Sequence, residues 1–272
     1  MPDVEIDIAG AALQFARIDA ADRDWTAAEL HLSTLAREAV ALSRGVAPGD
    51  LPARAGALAG LLTGRHRYHG DTETYDDPAN ANLIHVVDRR RGLPVALGIL
   101  WLHCARAIGW GAHGIDFPGH FLIALEADQT GRQHRPPTAQ QVVLDVFAGG
   151  VPLQAKDLRT LLKHVSGPSV ELRPGVLQPM SARRVLLRLQ ENVRVRRLRH
   201  QDMAGALACT ENMLRIAPDN ASLWREAAMI NERLDHIATA LKCYGRFLDL
   251  VPSGGEAART RDAMDNLRTR LN

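Results

Sequence analysis

Two residues of this chain are spaced as a general base and the acid that orients it. Pro118-Gly119-His120-Phe121-Leu122 opens an apolar stretch, and Leu144-Asp145-Val146-Phe147 follows with Asp145 25 residues after His120. Thiol catalysis needs such a pair on neighbouring strands: an imidazole to take the proton and a carboxylate to hold the useful tautomer. It also needs a cysteine at the start of a facing helix, where backbone N–H groups and the helix dipole lower the thiol pKa. The helix start in question follows Gly92-Leu93, and its first residue is Pro94. No Ser, Thr or Lys lies between Tyr75 and Thr130. The thiol in that stretch, Cys104, is ten residues further on, about 15 Å along a helix. It reads as a small buried hydrophobe.

The elements that would position these residues follow from periodicity. Trp25–Ser43 carries Leu30, Leu32, Leu35, Ala39, Val40 and Leu42 at helical spacing behind Asp24 as N-cap. Leu51–Thr63 is a second helix, Tyr68–Pro78 a polar, turn-rich surface stretch, and Asn80–Arg90 a third helix closed by Gly92. Pro94 then starts a helix to Ile108, since its missing N–H costs nothing at the first position. That helix is apolar on most of its circumference and should be central and buried. Ala112–Phe117, His120–Glu126 and Gln141–Phe147 read as strands, with Asp128–Gln140 as an exposed hairpin loop.

Beyond Met180 the strand signals stop, and the tail repeats itself. Ala206-Leu207 and Ala240-Leu241, Leu214 and Leu248, and Pro218 and Pro252 are each 34 residues apart, the tetratricopeptide period. Trp224 and Tyr244 occupy its aromatic positions. The fold class expected is therefore α+β: a helix-plus-antiparallel-sheet domain over 25–180 after an N-terminal extension, 1–24, with an all-α tetratricopeptide tail over 181–272.

Composition narrows the function classes. At 272 residues and 46% hydrophobic content the chain can bury sizeable cores. A net charge of +2 provides no global field for nucleic acid or membrane. The first basic residue is Arg17, after Asp3, Glu5 and Asp7, so no secretory leader is expected. The longest strictly apolar run, glycine included, is Leu93–Leu102, far below a bilayer span. Three scattered cysteines suit a reducing cytoplasm. Of eleven histidines only His66 and His69 are close, and neither joins a Cys or Glu at ligand spacing, so no metal and no other cofactor is expected. No Gly-rich phosphate loop follows a strand.

Asp77-Pro78-Ala79-Asn80, Arg89-Arg90-Arg91-Gly92-Leu93-Pro94-Val95-Ala96-Leu97, Phe117-Pro118-Gly119-His120-Phe121-Leu122 and Asp145-Val146-Phe147-Ala148-Gly149-Gly150 together resemble the bacterial SirB-type invasion-regulator family. The resemblance runs from about residue 25 onward. It implies a transglutaminase-like domain, of the papain-like helix-and-sheet kind, joined to C-terminal tetratricopeptide units. The wider superfamily sets its nucleophile two residues after a glycine, which maps to Pro94. The resemblance makes His120 and Asp145 the remaining triad members.

Plainer readings stand beside these. His120 and Asp145 are either a satisfied polar pair in the core or a retained catalytic or ligand-binding pair. Arg89, Arg90 and Arg91 either complement a helix dipole or bind a carboxylate, with Arg91 and Pro94 as ligand-site candidates. Arg183, Arg184, Arg188, Arg194, Arg196, Arg197 and Arg199 form either a solvated helix face or a patch for an acidic partner or RNA. The leading function is a cytoplasmic, nucleophile-less interaction or regulatory protein with a protein or peptide partner and no membrane. The alternatives are a hydrolase or acyl transferase using His120 and Asp145 on water, and a nucleic-acid factor acting through the arginine-rich helix.

Overall fold

The computed structural model describes residues 5–127, 141–172 and 174–270. The loop expected over Asp128–Gln140 lies outside the described residues. The chain divides into two compact units, Met1–Leu189 and Gln190–Asn272.

In the first unit, Asp7 caps α1 (Ile8–Asp19) by accepting from Gly10 N. Its buried face is Ile8, Ala9, Ala12, Leu13, Phe15 and Ala16. The segment set apart as an extension therefore supplies a core helix, which packs on α2 (Trp25–Ser43). Asp24 caps α2 through Thr26 N and Ala27 N, while Leu30, counted in its apolar stripe, is 65% exposed. The next helix, α3 (Leu51–Ala59), widens into a π-helical stretch, Gly60–Arg65, instead of ending at Thr63. The polar stretch after it is no surface loop throughout: Tyr68 and Asp71 are buried. A 3₁₀ turn, Pro78–Ala81, precedes α4 (Leu83–Arg89), which Asn82 caps through Ile84 N and His85 N.

The helix is closed by Arg90 in the left-handed region, φ 59°, rather than by Gly92. Gly92 has another reason to be glycine. A Cβ there would lie 2.9 Å from Val86 Cγ2 and 3.2 Å from the Asn80 carbonyl oxygen. Arg91–Gly92 (β2) pairs in parallel with His69–Gly70 (β1), tying the stretch before α4 to the entry of α5 (Pro94–Ile108).

Burial encloses α5 from Val95 to Cys104 apart from His103, as expected of a helix apolar all round. It packs on a five-stranded antiparallel sheet built from β3 (Ala112–Phe117), β4 (His120–Glu126), β5 (Gln141–Asp145), β6 (Val151–Leu153) and β7 (Pro179–Met180), in the order β6-β5-β4-β3-β7. The short edge strands β6 and β7 carry too few residues for a period-2 signal. Facing residues Phe117 and His120 close the β3–β4 hairpin around Pro118-Gly119, with Gly119 at φ 72°.

Approach of α5 to β4 is set by Gly98, where a Cβ would stand 2.3 Å from Phe121 Cε1. Gly114 on β3 makes room for the same ring, since a Cβ there would stand 2.8 Å from Phe121 Cζ. The opposite face of the sheet carries Ile115, Phe117, Leu122, Ala124 and Val143, covered by Leu158 and Leu162 of α6 (Ala155–Ser166).

α7 (Ala182–Arg199) passes through the boundary between the units. In the second unit, α8 (Met203–Ile216) and α10 (Ile237–Leu250) match end for end at the offset of 34. The end of α9 (Ala221–Arg233) lies at the same offset from the end of α7. Even the turns repeat, since Gln201 and Asp235 both have φ 60°. α11 (Gly255–Thr269) follows.

Two glycines in helices of the first unit should respond oppositely to alanine. Gly98→Ala is expected to lower stability by about 1–3 kcal/mol, because Phe121 and the helix must move apart. Gly56→Ala in α3, where nothing lies within 4 Å of the added carbon, should raise it by up to about 1 kcal/mol. Urea unfolding of the two variants against the parent checks both signs.

Candidate functional site

The entry to α5 holds Pro94, the position to which the resemblance maps a nucleophile, and neither sulfur nor hydroxyl stands there. Leu93, extended at φ −71° and ψ 158°, is the N-cap and offers no side-chain bond to the helix. Its N–H donates to the Asn80 carbonyl at 2.8 Å, and Asp71 N–H donates to the Gly92 carbonyl at 3.3 Å. Pro94 fills the first position, and Val95 and Ala96 behind it are buried. Cys104 is buried too, and burial, with Glu38 adding to it, pushes its thiol up to about 12. That sulfur stays protonated and inert near neutral pH.

What holds this entry is a carboxylate cage around one guanidinium. Asp71, 1% exposed, accepts from Glu73 N at 3.1 Å and Thr74 N at 2.8 Å on Oδ1. Its Oδ2 accepts from Thr74 Oγ1 at 2.7 Å and Arg89 Nη2 at 3.0 Å. Arg89 Nη1 reaches Asp77 Oδ2 at 2.9 Å, so one side chain ties the two ends of the 71–77 turn together. Burial works to raise the Asp71 pKa, but the bonds from Thr74, Glu73 and Asn80 outweigh it and hold the carboxyl at about 2. The sequence signal for this cage was the Asp-rich turn ahead of three arginines, which composition alone presents as surface charge.

The three arginines separate. Arg89 takes Asp71 and Asp77. Arg90 turns inward, where Nη1 donates to His31 Nε2 and to the Tyr68 hydroxyl and the guanidinium lies 4.9 Å from the Tyr68 ring centroid. Burial, then the Arg90 charge, lowers His31 to about 4, which keeps its imidazole neutral as an acceptor. Glu38 collects Arg65 at 3.1 Å and His66 Nε2 at 2.9 Å beside it, so His66 is a hydrogen-bond partner of Glu38 rather than half of a His66–His69 pair. Sequence reading passed over His31 and Tyr68 because their partner is 59 and 22 residues away. Arg91, the ligand-site candidate, pairs with Glu73 at 2.7 Å, with both side chains exposed. Such a pair contributes about 0–1 kcal/mol and opens readily.

His120 and Asp145 lie across the sheet from this entry. Pleating puts His120, Leu122 and Ala124 on one face of β4 and Phe121, Ile123 and Leu125 on the other. Phe121 meets Gly98 of α5, whereas Leu122 and Ala124 belong to the cluster under α6. His120 shares the α6 side: its ring centroid is 6.4 Å from that of Phe117, and the turn before it abuts Val165. Val143 faces Ala124 across the ladder, so Asp145, two residues on, shares that side as well. The two are nevertheless not joined. Asp145 Oδ1 accepts from Phe147 N at 3.0 Å and Ala148 N at 3.1 Å, closing the turn after β5. The His120 ring has no hydrogen bond to a described residue. A carboxylate engaged in capping does not select the imidazole tautomer, so the expected base-and-orienter contact is absent from this arrangement.

The hollow in the first unit, about 430 Å³, adjoins none of these candidates. It lies towards the other end of α5, among Leu102, Arg106, Trp110, Met180 and Val185. Among the described residues no three His, Cys, Asp or Glu side chains are grouped as metal ligands would be. No described helix is long and apolar enough to cross a membrane. The basic block of α7 is not a free face. Asp116 holds Arg184 and Arg188, and Glu191 and Glu226 hold Arg194, which is 8% exposed. Arg196 donates to the Asn192 carbonyl at 3.1 Å, Arg197 pairs with Asp202 at 3.6 Å, and Arg183 and Arg199 are engaged as well.

A family model described as the transglutaminase-like superfamily matches residues 26–191, and one described as tetratricopeptide repeat matches residues 193–266. The chain is 30% identical over 205 residues to a UPF0162 protein of Xylella fastidiosa, covering 74% of this chain and 69% of that one. It is 31% identical over 227 residues to a UPF0162 protein of Vibrio cholerae, covering 83% and 79% respectively. It also resembles F-box only protein 21 of Mus musculus, 27% identical over 107 residues, or 39% of this chain and 17% of that protein.

The two perturbed groups define separate pH windows. His31 binds its proton in the unfolded chain near its ordinary 6.5 but in the fold only near 4, so acidification through that range favours unfolding. Asp71 stabilises the fold above its ordinary value, about 4, and that contribution is lost as pH falls towards about 2. Urea midpoints measured against pH should lose the first step in His31→Gln and the second in Asp71→Asn. Unchanged slopes would contradict the two assignments.

Proposed function

The chain belongs to the UPF0162 family of SirB-type proteins, a transglutaminase-like domain followed by tetratricopeptide helices, and we propose that it is a non-catalytic, cytoplasmic interaction or regulatory factor. The observation that carries this reading is the occupied nucleophile position. Pro94 starts α5 with neither sulfur nor hydroxyl, and the next thiol along the helix is Cys104, buried. Superfamily chemistry runs through a covalent acyl intermediate, and without a nucleophile that route has no first step. The separation of His120 from the α5 face and the capping role of Asp145 support the same reading. With no Asp145–His120 bond, activation of water by this pair receives no structural support. The engaged arginines of α7 likewise give little to a phosphate backbone.

Tetratricopeptide helices expose surfaces to protein segments, which is why we assign a protein or peptide partner. The domain at 25–180 retains the cage at Arg89 and the pair Arg91–Glu73 beside Pro94. We read that surface as a second place where a partner could engage Arg91, since its exposed ion pair exchanges at little cost.

Purified protein is expected to show no turnover on a broad panel of amides and esters that His120→Ala abolishes; a rate that depends on His120 would restore the enzyme reading. Affinity capture with the full chain should recover a stoichiometric protein partner. Its consistent failure to do so would count against the interaction role.

A further inference from the structure

The second unit carries a hollow of about 530 Å³ whose chemistry is more specific than its fold. One wall is α9, where Arg225, Met229, Glu232 and Arg233 recur on a single face. The other is α11, with Glu256, Arg259, Thr260 and Ala263 at the same helical spacing. Tyr244 of α10 also lines it, and Arg270 lies just past α11.

Two acids at this hollow are paired with arginine, and a third accepts a neutral hydroxyl and keeps its charge. Glu256 takes Arg225 at 2.7 Å, and Asp235, in the turn after α9, takes Arg270 at 2.9 Å. Glu232 accepts the Tyr244 hydroxyl at 3.1 Å, while burial, with Glu232 adding to it, pushes that phenol up to about 12. Arg233 and Arg259 are left over. Both are exposed, and neither has an ion-pair or hydrogen-bond partner among the described residues. Met229, which lines the same hollow and is 43% exposed, offers an apolar surface.

From this the geometry points to a docking site for a short acidic peptide segment, in which carboxylates pair with Arg233 and Arg259 and an apolar side chain lies against Met229. The inference rests on the interaction reading above and names the chemistry of the partner. A guanidinium fork matches a carboxylate in two parallel bonds, so two spare arginines specify two acids. Tyr244 is buried and provides no stacking face, which disfavours single-stranded RNA relative to peptide.

Fluorescence anisotropy on the full chain tests this with three labelled probes: an octapeptide alternating Glu and Leu, the same peptide with Gln for Glu, and an oligouridylate. The glutamate peptide should bind more tightly than the other two, and more weakly as salt rises. Arg233→Gln combined with Arg259→Gln should weaken it at least about tenfold, as expected when two charge-assisted contacts are lost. Arg268→Gln removes the same kind of charge from an arginine of α11 that pairs with Asp265 and does not line the hollow, and it should leave binding near the parent value. Because the substituted arginines are exposed, thermal melts of the double variant should overlay the parent; if they do not, Arg259→Gln alone is measured and should still lower affinity. Equal binding of the glutamine peptide, tighter binding of oligouridylate, or full affinity in the double variant would overturn the inference. If the glutamate peptide fails while the full chain still retains a partner that the double variant does not release, the acidic chemistry is wrong and the interaction role stands.

Discussion

The close passage of α5 over β4 at Gly98 is the constraint on which the first unit turns. With no Cβ at that position, the ring of Phe121 lies directly against the helix and against Gly114 of the next strand. Strand pleating then leaves no freedom: once Phe121 faces α5, His120 and Leu122 must face away. A shift of one residue would bring His120 to the helix face, but it would also exchange Phe121, Ile123 and Leu125, which pack towards α5, with Leu122 and Ala124, which pack towards α6, and all five are buried. Misfitting side chains in a packed core costs about 1–3 kcal/mol, more than one imidazole contact could return. The location of the histidine is therefore a consequence of hydrophobic register.

The helix entry is shaped by a second economy. A thiol-bearing start leaves backbone donors and a polar side chain open to substrate, whereas this one is closed. Pro94 removes a donor, Leu93 and Gly92 are fastened by Asn80 and Asp71, and the Asp71–Arg89–Asp77 cage anchors the turn that supplies those bonds. Arg90, one residue on, does the corresponding work inward on His31 and Tyr68. Adjacent arginines thus serve different partners: Arg89 belongs to the last turn of α4, and Arg90 closes that helix in the left-handed region. In the second unit the logic differs: Arg225 and Arg270 pair with Glu256 and Asp235, and Arg233 and Arg259 have no partner among the described residues.

Much of this architecture was legible in the chain because it depends on local periodicity and capping. α2 and α5 take the expected bounds, behind an aspartate cap and an N-terminal proline respectively. β3 and β4 do as well, since the Pro118-Gly119 turn signal separates them. The offset of 34 between α8 and α10 is visible as repeated Ala-Leu and Pro residues before any coordinates are seen. Less legible were the pieces that are stable only by contact. α1 is short, the edge strands are shorter still, and Gly92 carries the sequence mark of a helix cap while serving a steric role.

The sequence by itself determined that Pro94 stands two residues after Gly92 with neither sulfur nor hydroxyl beside it, that an imidazole and a carboxylate stand 25 residues apart, and that a 34-residue repeat lies in the tail. Those are statements of residue identity and spacing, and covalent order fixes them. Only the tertiary structure decided that His120 faces α6, that Asp145 spends its oxygen on the turn after β5, and that Arg233 and Arg259 line a hollow with no partner among the described residues. Facing and pairing depend on which groups long-range packing brings within about 3 Å, and residues 59 apart, such as His31 and Arg90, carry no local sign of their meeting.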